Sequence, residues 1–423
     1  MYTRRSLFLR ASQVGAVVGA VATQGSGNLA AGQVASASSG PADEAYWATV
    51  RAQFPLDPNL VYLNAANVCP ASQRVIDRHL AYLKDFYSNP SFENRAKYVE
   101  LEAKARQDLA TVLGAKPSEL ALTRNTSEAT NTIVRGLNLR AGDEVILCSH
   151  NHPSNNGSWK VLAKRTGVVL REIPTPLDNI SQQRLIRSIA AAMNDKTRVI
   201  AITHLTNTNG LRYPAQEIAA LAKGRNIWVH LDGAQSFGML DFRLSAIGCD
   251  SYAASLHKWP MGPLEAGVLF VKEGRQDELW PAIVTAGYSE LLEGATRFGE
   301  LGQRDNPRLV AAGEAARFLR QLGMAHVQAR SLYLAGSLKE KLSKIPNVEV
   351  TTPMDPELSG AVVKFRVKGQ NTKALGMALW EKHRISGAVT ESGPLEGIRW
   401  CPHVYNTMAE IEQAADAFAK IVA

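Results

Sequence analysis

Trp228-Val229-His230-Leu231-Asp232-Gly233-Ala234-Gln235 and, farther on, Ser251-Tyr252-Ala253-Ala254-Ser255-Leu256-His257-Lys258 decide the reading of the fold. Each is an apolar run that gives way to an ionisable group. Nearly continuous runs of this kind suit strands buried on both faces of a parallel sheet. A carboxylate leaving a buried strand is costly unless an opposite charge balances it, so Asp232 calls for a partner. Helix capping is the ordinary alternative for this aspartate. Lys258 stands just past its strand, where apolar and cationic surroundings lower an amine's pKa and free it to attack a carbonyl. Lysines also end strands with no such role.

Outward from these two runs, the spacing predicts further strands at Glu119–Thr123, Glu144–Ser149, Val168–Ile173, Arg198–His204 and Gly267–Lys272. Helical stretches lie between them, among them Asn131–Leu137, Leu185–Met193 and Ala215–Arg225. That alternation predicts an α/β large domain with a mostly parallel seven-stranded sheet covered by helices. After about residue 305 the pattern changes to two helical stretches (Pro307–Leu322, Val327–Lys344), a strand (Ala361–Val367) and a closing helix (Met408–Val422). This reads as a smaller α+β C-terminal domain. The expected division is 1–37 as a targeting segment, 38–65 as an N-terminal segment, 66–304 as the large domain and 305–423 as the small one.

The chain has 423 residues, 45% hydrophobic and 20% charged, an ordinary composition for a globular protein of more than one domain. Its net charge of +8 drops to +5 without Arg4, Arg5 and Arg10, which are the only charged residues before position 41. No long Lys/Arg run remains, which argues against a nucleic-acid partner. Cys69, Cys148, Cys249 and Cys401 are widely spaced with no CxxC pair, so no metal site is expected and buried free thiols are. At the N-terminus, Arg4-Arg5 precedes Ser6-Leu7-Phe8-Leu9, a weakly apolar Ala/Val/Gly stretch, and the small-residue site Ala35-Ser36-Ala37. This resembles a bacterial twin-arginine (Tat) signal peptide, implying the Tat translocase as a transient partner and a periplasmic or secreted destination. A cytoplasmic tail is the plainer alternative. The stretch is too short and too poor in large side chains for a stable membrane anchor.

The remaining unusual residues also fall just beyond strand ends, where open α/β sheets bind ligands. Thr126 and Ser127 open a helix after the first strand; free N–H groups and hydroxyls there suit a phosphate, although alone they read as a common helix cap. His152 follows the second strand, and its flat imidazole could lie on an aromatic cofactor or move protons; a lone loop histidine is more often a surface residue. Asn207 ends the next apolar strand and could hydrogen-bond a phenolic oxygen, or simply turn the chain. Ser255 and His257 could donate to a phosphate. A protonated pyridine nitrogen would satisfy Asp232 and turn the ring into an electron sink.

In this order the residues resemble the class V aminotransferases, within the fold-type I enzymes that use pyridoxal 5′-phosphate (PLP), and most closely the isopenicillin N epimerase-like branch. The resemblance runs from about Tyr62 to Tyr405. It implies that Lys258 holds PLP as a Schiff base, that Asp232 faces the pyridine nitrogen and that His152 covers the ring. It likewise implies Asn207 and Gln235 at the phenolic oxygen, with Thr126, Ser127, Ser255 and His257 around the phosphate. Arg399, in Gly397-Ile398-Arg399-Trp400, matches the position that grips an amino-acid α-carboxylate; a structural ion pair is the alternative. Gln303 stands where relatives carry a threonine that reaches the neighbouring subunit's phosphate, and a homodimer is implied. Ser386–Glu396 lacks the cysteine that desulfurases of this family use, and Cys401 lies on the wrong side of Arg399 to replace it. The expected activity is therefore cleavage of a Cα bond in an amino acid or peptidyl amine, as an epimerase or aminotransferase. The alternatives are a PLP-dependent lyase or decarboxylase that tailors a secreted peptide, and a PLP-binding protein without catalysis.

Overall fold

The computed structural model describes residues 40–285 and 294–423. The arginine pair and the apolar stretch behind it lie outside the described residues. The central sheet contains β2 (Leu120–Thr123), β3 (Glu144–Cys148), β4 (Val169–Ile173), β5 (Thr197–Thr203), β6 (Trp228–Asp232), β7 (Ser251–Ser255) and β8 (Gly267–Val271), in the order β2-β8-β7-β6-β5-β3-β4. Only β8 runs antiparallel to its neighbours, β7 and β2. The α/β fold with a mostly parallel seven-stranded sheet is thus as expected, and each strand lies within about a residue of its predicted bounds.

Alternation along the strands explains why both faces are dry except at the edge strand β4, whose residues are exposed or half-buried. Ile146, Ile200, Val229 and Tyr252 pack into one apolar cluster, while Val145, Leu147, Val199, Trp228 and Ala253 pack into another. Successive residues of a strand point to opposite faces, so apolar runs are needed rather than alternation. Each fully buried Val, Ile or Leu side chain contributes about 1.5–3 kcal/mol relative to exposure. The carboxyl ends of the parallel strands all open along one edge of the sheet.

A second, antiparallel sheet has the order β12-β13-β10-β9, built from β9 (Val348–Val350), β10 (Val363–Val367), β12 (Ala388–Thr390) and β13 (Gly397–Trp400). The short strand β1 (Val61–Tyr62) pairs in parallel with β11 (Ile385–Ser386), and Asn64 forms a parallel bridge with Cys401. The N-terminal segment is thereby stitched beside β13. Arg330, fully buried, ion-pairs with Glu44 and donates to the carbonyl oxygens of Pro41 (2.8 Å) and Asn406 (3.0 Å). Among the described residues no helix is long and apolar enough to cross a membrane.

Candidate active site

β6 delivers Asp232 to the carboxyl edge of the central sheet. The turn behind it requires glycine: a Cβ on Gly233 would lie 1.8 Å from the ring of Tyr252. Tyr252 closes this approach by donating to the Gly233 carbonyl (3.1 Å) and pairing with Ser236 Oγ (2.9 Å). Asp232 is 3% exposed, and one carboxylate oxygen accepts from the N–H of Ala234 at 3.0 Å. No salt bridge neutralises it among the described residues. Burial pushes its carboxyl above the ordinary range, opposed by the Ala234 N–H and by the nearby Lys258 and His152.

β7 leads into Lys258 through a turn in which the N–H of Gly262 bonds the Leu256 carbonyl (2.7 Å) and that of Met261 the Lys258 carbonyl (2.8 Å). The next residue is clamped: Trp259 donates its indole N–H to Gln235 Oε1 (2.7 Å), and its carbonyl meets His403 Nε2 (2.9 Å). Burial pushes the Lys258 amine below its ordinary value, with Asp232 opposing the shift and Arg399 reinforcing it. His152 is also pushed down by burial, with Asp232 opposing. Its Nδ1 accepts the N–H of Ser154 at 3.2 Å and meets Ser154 Oγ at 2.7 Å, so the imidazole caps its own helix, Pro153–Thr166. The lone loop histidine is thus fixed at the helix entrance, within electrostatic reach of Asp232, Lys258 and Arg399.

At the first strand's end, Thr126 and Ser255 meet: the Thr126 N–H donates to Ser255 Oγ (2.9 Å), and the two hydroxyls lie 2.7 Å apart. Asn125 caps this helix by accepting from the N–H of Glu128 (3.0 Å). Ser127 is exposed beside it. Gly267 of β8 presses on Asn125, with the nearest backbone atoms 2.8 Å from where a Cβ would stand. His257 is held down to about 4 by burial and by Lys258, and its buried Nδ1 has no partner.

Arg399 reaches the same region from β13. It donates to the Asn207 carbonyl (2.7 Å) and to Asn64 Oδ1 (3.1 Å), and its buried Nε has no partner. No carboxylate pairs with it among the described residues. Asn207 Oδ1 is likewise buried and unpartnered. Asn64 was not anticipated; its only sequence signal is a turn-like Asn-Ala-Ala-Asn stretch after β1. Gln235 spends more of its amide on the protein than expected, because Nε2 also donates to the Ala66 carbonyl (3.0 Å). Gln303 is exposed and accepts from Arg95 at 3.2 Å, and among the described residues no hydrogen bond joins it to the other site residues.

These groups fit PLP. A buried carboxylate short of a cation suits the protonated ring nitrogen, a buried amine driven toward neutrality suits linkage to the aldehyde, and the unpartnered Asn207 and His257 atoms await polar groups. All four cysteines are buried and free, and burial raises the thiols of Cys69 and Cys401.

The sequence profile described as aminotransferase class-V matches residues 61–413. The chain is 32% identical over 387 residues to isopenicillin N epimerase of Streptomyces clavuligerus, covering 88% of this chain and 97% of that protein. It is 27% identical over 396 residues to a probable cysteine desulfurase of Methanothermobacter thermautotrophicus, covering 88% and 97%. A solved C-DES mutant with glycine covalently linked to its PLP cofactor superposes with a TM-score of 0.80 at 24% identity, covering 87% of this chain and 98% of that chain. That likeness concerns the fold.

Proposed function

The chain belongs to the class-V aminotransferase family, and from that premise we propose that this PLP-dependent enzyme breaks a Cα bond of an amino acid or peptidyl amine, as an epimerase or aminotransferase. The observation that carries the reading is the convergence of Lys258, His152 and Arg399, all partly buried, on the buried Asp232, from four separate elements and with no ion pair among them within the described residues.

Bound PLP supplies an electron sink for the pair released when a bond to Cα breaks. Asp232, buried and ionised opposite a cation, keeps the proton on the ring nitrogen. Lys258, driven toward the neutral amine, would hold the cofactor through Nζ and, with that nitrogen free, would accept the Cα proton. His152 accepts the Ser154 N–H on Nδ1, which leaves Nε2 as the nitrogen free to move a proton. The fork of Arg399, steadied by Asn207 and Asn64, grips the α-carboxylate. Thr126, Ser127 and Ser255 offer hydroxyls and a helix N-terminus to the phosphate.

Return of the proton to the opposite face of Cα would give epimerisation, and bound PLP would supply the amino-group carrier that transamination needs. Both keep the β-carbon intact. Desulfurase chemistry is disfavoured because Ser386–Glu396 holds no cysteine and Cys401 is a buried thiol pushed up by burial. The arginine pair at the N-terminus supports export, and the fold supports a homodimer in which Gln303 faces the partner.

Incubation with L- and D-amino acids and small peptides in D₂O tests the reading. Deuterium at Cα with inverted configuration, or formation of the keto acid, supports it. No exchange with any amino compound, despite bound cofactor, rejects catalysis at Cα.

A further inference from the structure

Lys364 of β10 lies directly opposite Arg399 of β13 in the antiparallel register, so both side chains leave the same face of the second sheet. Like charges in facing positions destabilise a sheet, and here they are also withdrawn from water. Lys364 is 1% exposed. Its ammonium reaches over Gly397, donating to that residue's carbonyl (2.7 Å) and to Thr390 Oγ1 (2.8 Å). Arg399 meets a carbonyl and an amide oxygen. All four acceptors are neutral, and neither cation has a salt bridge among the described residues.

The neighbouring cation shows what a structural charge looks like on this sheet. Arg366, two residues along the same strand, pairs with Glu349 at 3.0 Å in the register position opposite. Glu396, the acid closest in sequence to Gly397, turns one oxygen to the Thr372 hydroxyl (3.1 Å) instead of to Lys364. Burial first, then Arg399, hold the Lys364 amine down to about 8, with Cys401 and Glu396 opposing the shift. Of the two cations, the half-buried Arg399 is accounted for by a substrate α-carboxylate. The second is not.

We infer that Lys364 and Arg399 form a two-cation patch that selects substrates carrying a second anionic group besides the α-carboxylate, such as dicarboxylic amino acids. Lys364 is held rigidly by two hydrogen bonds, so it acts as a fixed charge on the specificity of the site and takes no part in bond cleavage. This rests on the amino-acid chemistry proposed above.

Holoenzyme titrated with glutamate and glutamine, then with 2-aminoadipate and norleucine, separates the two ideas. Binding is read from the absorption of the bound cofactor and from kcat/KM. The wild type should favour each dicarboxylate by about 10-fold or more, as expected for one added charge pair in a partly desolvated site. Lys364→Met should erase that preference, lowering the dicarboxylates by about 10-fold relative to glutamine and norleucine, and Lys364→Arg should keep it. Equal weakening of all four ligands would show that Lys364 only strengthens the α-carboxylate grip, and would overturn the inference. Should Lys364→Met not fold, the wild-type comparison decides alone: no preference for the dicarboxylates overturns it. A cofactor spectrum that no amino compound perturbs would reject the amino-acid reading itself, and the inference with it.

Discussion

Removal of the Arg399 side chain tests whether the substrate presents a free α-carboxylate. The guanidinium is already oriented by Asn207 and Asn64, so little side-chain freedom is lost when a ligand arrives. Its buried Nε–H lacks an acceptor and no acid among the described residues neutralises the charge, which leaves a fork edge for a carboxylate. A charge-assisted bidentate contact in such a site is worth about 2–5 kcal/mol. At about 1.4 kcal/mol per tenfold, Arg399→Ala should lower kcat/KM by roughly 30-fold to several thousand-fold. Arg399→Lys should recover little, because an ammonium cannot reproduce the fork. The cofactor absorption should survive both changes, since Arg399 faces the substrate end. Steady-state kinetics on the best amino-acid substrate, with cofactor content measured on the same samples, is the assay. Near-wild-type kcat/KM for Arg399→Ala with full cofactor would refute carboxylate recognition and turn attention to side-chain amines of larger molecules.

Asp232→Asn should weaken PLP binding to the apoprotein by about 1.5–3 kcal/mol, roughly 10- to 150-fold in Kd, by removing a charged partner; a wild-type Kd by fluorescence titration would contradict the ring-nitrogen role. His230, fully buried between Ser251 Oγ (2.8 Å) and Thr130 Oγ1 (3.3 Å), is held down to about 3 by burial. Because its folded value lies below the ordinary 6.5, its contribution to stability is complete above that pH and is lost as pH falls, by about 2 kcal/mol at pH 5. His230→Gln should shrink the difference in unfolding free energy between pH 7 and pH 5 by about that amount, measured by urea denaturation, and an unchanged difference would show that the histidine is not held neutral. Replacing Arg4 and Arg5 together by lysine should leave folded, cofactor-loaded protein in the cytoplasm; normal appearance in the periplasm would remove the twin-arginine reading.

The large sheet was legible because its inner strands are dry on both faces: Val145-Ile146-Leu147 and Val199-Ile200-Ala201-Ile202 leave no other period to choose. The ends of those strands then located Asp232, Lys258, His152 and Asn207, since position along a parallel sheet is position in the site. Contacts between distant segments were not legible. Asn64 supports Arg399 from 335 residues away, and nothing in its neighbourhood announces that. Lys364 was passed over because a lysine inside Val362-Val363-Lys364-Phe365 reads as a strand's solvent side, and only the register with β13 shows it facing a second cation. The short strands β9 and β11–β13 carry too few residues for a period to register. Gln235 illustrates the same limit, because its partners Trp259 and Ala66 come from a turn and from the N-terminal segment.

The measurement closest to the central claim is the chemical location of the cofactor. Purified protein should be yellow, and borohydride should fix the cofactor irreversibly to the lysine that holds it. Peptide mapping by mass spectrometry should then place the pyridoxyl group on Lys258 alone, with Lys258→Ala protein left unlabelled. A label on any other lysine, or none on colourless protein reconstituted with excess PLP, would contradict the account.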